Sequence, residues 1–141
     1  MVVELQVLGR AIKVAQYWHH RAMDTRLAEI GTTLVQWDAL RAIGRMPGAS
    51  AHDLAQATFQ SDQAFGTLGN RLLAQELIER RPGHGRRIEH HLTPAGERML
   101  AAGHPIADEL LASSFARLNE SERATLLELL QRVGGSAVER R

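Results

Sequence analysis

One stretch decides the fold of this chain: residues 50–93 read SAHDLAQATFQSDQAFGTLGNRLLAQELIERRPGHGRRIEHHLT. Ser50 and Asp53 form a capping box, in which the serine caps free amides at a helix start and the aspartate reaches back. A second amphipathic segment runs from Ser61 to about Glu76, so the pattern predicts two helices joined by a turn. A small helical unit that carries a basic hairpin suits DNA binding far better than catalysis.

The hairpin lies between the second of these helices and residue 93. Residues 82–85 supply its turn, and between Arg80 and His91 there are four arginines, three histidines and one acid. The period of a half-buried strand is visible at Ile88, His90 and Leu92. A charge run of this kind can be a solvated loop, but its attachment to a helix-turn-helix pattern favours contact with DNA.

Helical patterns flank this unit on its N-terminal side. Apolar residues that step by three and four predict a first helix over about residues 3–23. Thr33 is predicted to cap a second helix, from Leu34 to about Arg45, with Trp37, Leu40 and Ile43 facing inward.

The last third is predicted to be helical as well. Thr93 caps a helix that has Pro94 at its first position, and the sequence Gly103-His104-Pro105 predicts a kink or a short break inside it. Asn119 is predicted to cap a final helix that ends at Gly134-Gly135, with a frayed tail to Arg141.

The predicted fold is mainly α with a small β-wing, in a single domain over residues 1–141. Residues of about 34–100 form a winged helix-turn-helix, and helices at about 3–23 and 101–134 serve for dimerisation. The terminal apolar faces are too large to be buried fully by the middle unit. The two ends either pack on each other within one chain or interlock with a second copy; a homodimer would match a two-fold DNA site.

Composition narrows the class of protein. An apolar fraction of 44% is enough for a real core, and a net charge of only +1 means that any DNA contact depends on clustered charge. The absence of cysteine excludes disulfides, thiolate zinc sites and cysteine-based sensing. No signal peptide and no membrane span are recognised, so a cytoplasmic protein with no membrane partner is expected.

The sequence argues against an enzyme. Gly83-His84-Gly85 lies in a hairpin and not in a phosphate loop before a helix, and the chain has no cysteine nucleophile and no glycine-flanked serine. No cofactor is predicted. Seven histidines raise the possibility of metal sensing, but the adjacent residues of the pairs His19-His20 and His90-His91 point to different sides of a helix or strand, so no metal site is predicted.

The chain resembles regulators of the MarR family (multiple antibiotic resistance regulators). The likeness rests on segments in the family's order and spacing: 47–50, 53–55, 71–72, 77–80, 85–87 and 92–96. It implies a winged helix-turn-helix homodimer that binds double-stranded DNA at a pseudo-palindromic operator, usually as a repressor. It also implies a small-molecule pocket between the DNA-binding and dimerisation parts.

The resemblance places a recognition helix from Ser61 to about Gln75. The residues expected to bind DNA through this unit are Ser50, Ser61, Asp62, Gln63, Ala64, Thr67, Asn70 and Arg71. Gln63 is the best reader of a base, because an amide can pair with adenine at two positions; the alternative is a solvated side chain. Arg71 reaches either the DNA backbone or an internal salt bridge.

The wing and the recognition helix depart from the family pattern. Arg86 matches the arginine that enters the minor groove, with Arg87 beside it, but His84 stands where relatives have an aspartate that fixes the wing. Gly66 and Gly69 replace better helix formers at about 1 kcal/mol each, and Thr67 replaces a basic residue. The glycines permit close packing or close approach to DNA, and an unusual operator or modest affinity is expected.

An effector site is predicted at Trp18, Arg21 and Trp37. Aromatic walls with one arginine suit a small aromatic or phenolic effector, whereas the alternative is core packing for the tryptophans and a surface position for Arg21. A winged-helix module that binds proteins without DNA is the rival function. Free wing arginines on the side of Gln63 would favour DNA, and arginines held in salt bridges would favour that rival.

Overall fold

The computed structural model describes residues 1–134, which form helices around one two-stranded antiparallel hairpin. The elements are α1 (Leu5–Leu27), a short 3-10 turn (Ala28–Ile30), α2 (Leu34–Arg45), α3 (Ala51–Ala57), α4 (Asp62–Ala74), β1 (Ile78–Pro82), β2 (Ile88–Leu92), α5 (Pro94–Ser114) and α6 (Glu120–Gly134). This order confirms the predicted fold class, a mainly α chain with a small β-wing. No helix in this part of the chain is long and apolar enough to cross a bilayer.

Side-chain caps begin most of these helices. Thr33, Ser50, Ser61 and Thr93 each accept a hydrogen bond from the backbone amide three residues later. At α6 the capping is reciprocal, since Asn119 Oδ1 accepts from the amide of Glu122 and the Glu122 carboxylate accepts from the amide of Asn119. The predicted caps at Thr33, Ser50, Thr93 and Asn119 are therefore confirmed.

Two clusters of buried side chains hold the chain together. The larger one lies in the winged unit and joins α2, α3, α4 and the start of β1; it includes Leu40, Ile43, Leu54, Phe65 and Leu72. The smaller one lies between α1, α2 and α5 and includes Met23, Leu27, Trp37, Ile106 and Leu110. Because Met23 and Leu27 are buried there, α1 continues to Leu27 and does not end near residue 23 as predicted.

Of the two outcomes predicted at Gly103-His104-Pro105, a kink or a short break, the break is wrong. Helix α5 runs through Pro105 without interruption and crosses the boundary expected near residue 100. A proline removes one backbone hydrogen bond from a helix, but buried residues on both sides of it hold the helix in place. Gly103 lies against the Trp37 ring, and Ile106 and Ala107 are buried one turn later.

The hairpin pairs Ile78 with Leu92, Arg80 with His90 and Pro82 with Ile88. His90 is buried, but Ile88 is 47% exposed, so its predicted inward position is wrong. Ile88 lies opposite Pro82, at the end of the hairpin that extends beyond the core. Gly135 and the tail, where the sequence predicts a helix end and fraying, lie outside the described residues.

Candidate nucleic-acid interface

Helix α4 has one buried face and one exposed face. Phe65, Leu68 and Leu72 anchor it in the core. The residues predicted to meet DNA, apart from Ser61 at the cap, lie on its exposed sides: Asp62, Gln63, Ala64, Thr67, Asn70 and Arg71. Arg71 makes no ion pair with any residue among 1–134, so the internal salt bridge considered for it is not found. The exposed set has the form of a recognition surface.

The N-termini of α3 and α4 are held side by side. His52 Nδ1 lies 2.9 Å from the Asp62 carboxylate, which joins the first turns of the two helices. Ser50 and Ser61 are partly engaged as caps, because their hydroxyl oxygens accept from Asp53 N at 3.2 Å and from Ala64 N at 3.0 Å. Two adjacent helix N-termini present partial positive charge, which favours contact with phosphate.

Arg87 fastens the wing to this end of the unit. Its Nη2 donates to the carbonyl of Gly48 at 3.2 Å and to the Asp53 carboxylate at 3.4 Å. Hydrogen bonds from Ser50, with Arg87 nearby, hold the pKa of Asp53 below its usual value, so this carboxylate is ionised at neutral pH. Arg87 thus holds the wing in this chain, which has His84 where relatives have the aspartate that fixes the wing.

The wing tip leaves Arg86 free. The loop is closed by Gly83 N donating to Arg87 O at 2.8 Å and by Arg87 N donating to His84 O at 3.2 Å, with Gly85 at a φ of +66°. Arg86 is exposed and has no hydrogen-bond or ion-pair partner within residues 1–134. Of the two wing arginines, one therefore positions the wing and the other is available to a partner.

A buried histidine lies behind the hairpin. His90 is 2% exposed, its Nδ1 lies 3.0 Å from the Ala49 carbonyl, and its Nε2 lies 3.3 Å from Arg80 Nε. Burial lowers the pKa of His90, and the positive charge of Arg80 lowers it further. The sequence predicted a half-buried strand position here but no role. The polar residue at an inward position between Ile88 and Leu92 was the available signal.

The three predicted effector residues do not form one site within this chain. Trp37 is 2% exposed, and its indole N–H donates to Leu100 O at 3.1 Å. Trp18 is 61% exposed and packs edge-on against Tyr17, whose hydroxyl accepts from Arg21 at 3.2 Å. Trp37 therefore belongs to the core, while Trp18 and Arg21 lie on the outer side of α1.

An apolar cavity that the sequence did not predict lies where α5 meets α6. Its volume is about 230 Å³, and it is lined by Phe115, Arg123, Leu126, Leu127 and Leu130. Arg123 bridges the two helices, since Nε and Nη2 both donate to the carbonyl of Phe115. Four of the lining residues lie on α6 and Phe115 lies directly after α5, so the shape of the cavity depends on the turn at residues 115–119.

Comparison with known proteins agrees with this geometry. The model of the MarR family matches residues 30–88, which include α2, α3, α4, β1 and the wing loop up to the first residue of β2. This match and the relatives below support a winged-helix regulator of the MarR family. The chain is similar to the HTH-type transcriptional repressor NicR of Pseudomonas putida, with 27% identity over 128 residues that cover 89% of this chain and 81% of NicR.

Two solved structures share the fold of this chain. MarR from Escherichia coli, crystallised as a mutant with operator DNA, has a TM-score of 0.85 and 23% identity, covering 90% of this chain and 93% of its own. BpsR of Bordetella bronchiseptica has a TM-score of 0.82 and 23% identity, covering 89% and 97%. Together with the family match and the curated relatives, this fold supports a transcriptional regulator with a DNA-binding winged helix rather than an enzyme.

Proposed function

We propose that this regulator is a ligand-responsive repressor that binds a pseudo-palindromic operator as a homodimer. The observation that carries the proposal is the exposed face of α4 beside a wing whose tip arginine, Arg86, has no partner within residues 1–134. In this arrangement Gln63 reads base edges in the major groove and Arg86 enters the adjacent minor groove. Thr67, Asn70 and Arg71 follow along the helix as further contacts.

The homodimer is supported by the outer faces of the terminal helices. No residue of α6 is buried, and large apolar side chains remain exposed on both helices: Leu5, Leu8, Ile12, Leu127, Leu130 and Val133. On each helix these side chains are spaced by three or four residues and so share one face, and an exposed apolar face of this kind marks an interaction site. A second copy would cover these faces and place two recognition helices about one helical turn of DNA apart.

The repressor and effector parts of the proposal draw on relatives. NicR is named a transcriptional repressor, and DNA binding by BpsR is regulated by 6-hydroxynicotinic acid. That compound is a small aromatic acid, the class predicted for this chain. An effector bound near Trp18 and Arg21 would act by favouring a dimer whose heads are wrongly spaced, which shifts the population away from the DNA-binding form.

Fluorescence anisotropy with labelled duplex from upstream of the protein's own gene tests DNA binding, with a scrambled duplex as control. Selective binding whose affinity falls with salt is expected. Arg86→Ala should reduce the slope of log K against log salt by about 0.9 per protomer, because one phosphate-neutralising cation is lost. Equal weak binding to both duplexes would contradict the proposal and favour the protein-interaction module.

Arg81→Ala is the matched control, because Arg81 lies on the same hairpin but is paired with Glu79. Its effect on the salt slope is expected to be small. Light scattering measures the mass in solution, where a monomer would refute the homodimer. Addition of 6-hydroxynicotinic acid should release the labelled duplex, and Trp18→Ala with Arg21→Ala should weaken that response.

A further inference from the structure

Arg80 is an exposed arginine near α4 that is not among the proposed DNA contacts. Its Nε donates to His90, and its Nη2 lies 3.0 Å from the position that a Cβ would take at Gly69. The side chain thus runs from β1 to the recognition helix and ends against its backbone. Within residues 1–134 no carboxylate pairs with Arg80.

His90 holds this arginine through a single tautomer. The Ala49 carbonyl can only accept, so Nδ1 of His90 carries the proton at this 3.0 Å contact. Nε2 then presents a lone pair, which accepts from Arg80 Nε at 3.3 Å. The Phe65 ring lies edge-on to the imidazole, with 6.3 Å between ring centroids, and closes that side. Neutral His90 is therefore built to orient Arg80.

The path of bound DNA passes this arginine. A recognition helix enters a major groove and the wing enters the adjacent minor groove, and these two grooves are separated by one sugar–phosphate strand. That strand must run between α4 and the wing, where the Arg80 guanidinium lies. Gly66, one turn before Gly69, has no atom within 4 Å of the position of a Cβ, so a strand can approach the helix closely.

We propose that Arg80 binds a phosphate of the strand that runs between α4 and the wing, and that neutral His90 positions Arg80 for this contact. The inference rests on the proposed docking of α4 and the wing. It also gives the two glycines of α4 a role: Gly69 makes room for the arginine, and Gly66 makes room for the strand.

The contact between Arg80 and phosphate should depend on pH, with a sign opposite to the usual one. Protonated His90 would turn an N–H toward Arg80 Nε–H and lose the contact. Among residues 1–134, the charged or titratable groups that act on the imidazole are Arg80 and His91 on the hairpin. Helix α4 contributes the Phe65 ring, and the turn before α3 contributes the Ala49 carbonyl. Acid should therefore weaken the Arg80 contact, whereas added positive charge usually strengthens phosphate binding.

Arg80→Gln and its neighbour Arg81→Gln form the matched pair for the test. Arg81 lies on the opposite face of β1, paired with Glu79. With wild-type binding to the operator duplex established, Arg80→Gln should raise Kd about tenfold and reduce the salt slope by about 0.9 per protomer. Arg81→Gln should change Kd less than about twofold. Equal Kd and slope for the two variants would overturn this inference alone, whereas a wild-type protein without selective binding would overturn the docking as well.

The role of His90 is tested by repeating the comparison at about pH 7.5 and about pH 5.5, on either side of the ordinary histidine pKa. The ratio of Kd between Arg80→Gln and wild type should shrink toward one at the lower pH. His90→Gln, which cannot be protonated, should keep the ratio constant. If the ratio in the wild-type background is the same at both pH values, His90 does not position Arg80; this comparison stands even if His90→Gln does not fold.

Discussion

Substitution of Gly103 by alanine should destabilise the protein, although alanine is the better helix former. Gly103 lies inside α5 against the Trp37 indole, and a Cβ built at this position would lie 2.0 Å from Nε1. Unstrained contacts between such atoms are about 3.5 Å or longer. The ring must therefore move by more than an ångström, and it is fully enclosed, at 2% exposure.

Three effects set the change in the free energy of unfolding of Gly103→Ala. Overpacking of a core costs about 1–3 kcal/mol, and loss of the hydrogen bond from Trp37 Nε1 to Leu100 O, 3.1 Å long, costs about 1 kcal/mol. Replacement of glycine by alanine in a helix interior stabilises the helix by about 1 kcal/mol. The free energy of unfolding of Gly103→Ala should therefore be lower than that of wild type by about 2 kcal/mol.

Urea unfolding at one fixed protein concentration measures this difference, with Gly66→Ala as the matched control. Gly66 is also inside a helix, but no atom lies within 4 Å of its would-be Cβ; its replacement should stabilise the fold by about 1 kcal/mol. In a Trp18→Phe background, the emission of Trp37 should shift to the red in Gly103→Ala. The reasoning is refuted if Gly103→Ala is as stable as wild type.

Three further predictions follow from the wing and from the turn after α4. Arg87→Ala should raise the Kd for DNA about tenfold and leave the salt slope unchanged, because Arg87 holds the wing through Asp53 and does not contact phosphate. A salt slope as low as that of Arg86→Ala would show that Arg87 contacts phosphate directly. Glu76 has a φ of +60°, so Glu76→Gly should raise the free energy of unfolding by about 1 kcal/mol, and a lower melting temperature would contradict this. Because burial lowers the pKa of His90 from 6.5, its contribution to stability is complete above pH 6.5 and is lost as pH falls toward the folded-state pKa. Urea midpoints of wild type should therefore drop on acidification more than those of His90→Gln, and parallel curves would refute this.

The resemblance to a family, the helix starts and the exposed face of α4 could all be predicted from the sequence. Caps at Thr33, Ser50, Thr93 and Asn119 bind amides three residues away, so the signal lies inside a window that the sequence displays directly. The face of α4 follows from its 3.6-residue period. The motifs of the winged unit, in their order and spacing, were enough to indicate the resemblance to the MarR family, which the family match supports.

Tertiary structure decided which of the charged and aromatic residues are free. Arg86 and Arg87 are neighbours of the same type, yet only Arg87 meets Asp53, which lies 34 positions earlier in the chain. The sequence predicts Trp37 as an effector contact, but its ring is buried against α5. Pro105 suggested a helix break, and packing on both sides of it keeps α5 continuous. Each outcome depends on contacts between segments that are distant in the sequence. The free energies of these contacts exceed the local helix propensities, and the contacts leave no periodic pattern in the sequence from which they could be predicted.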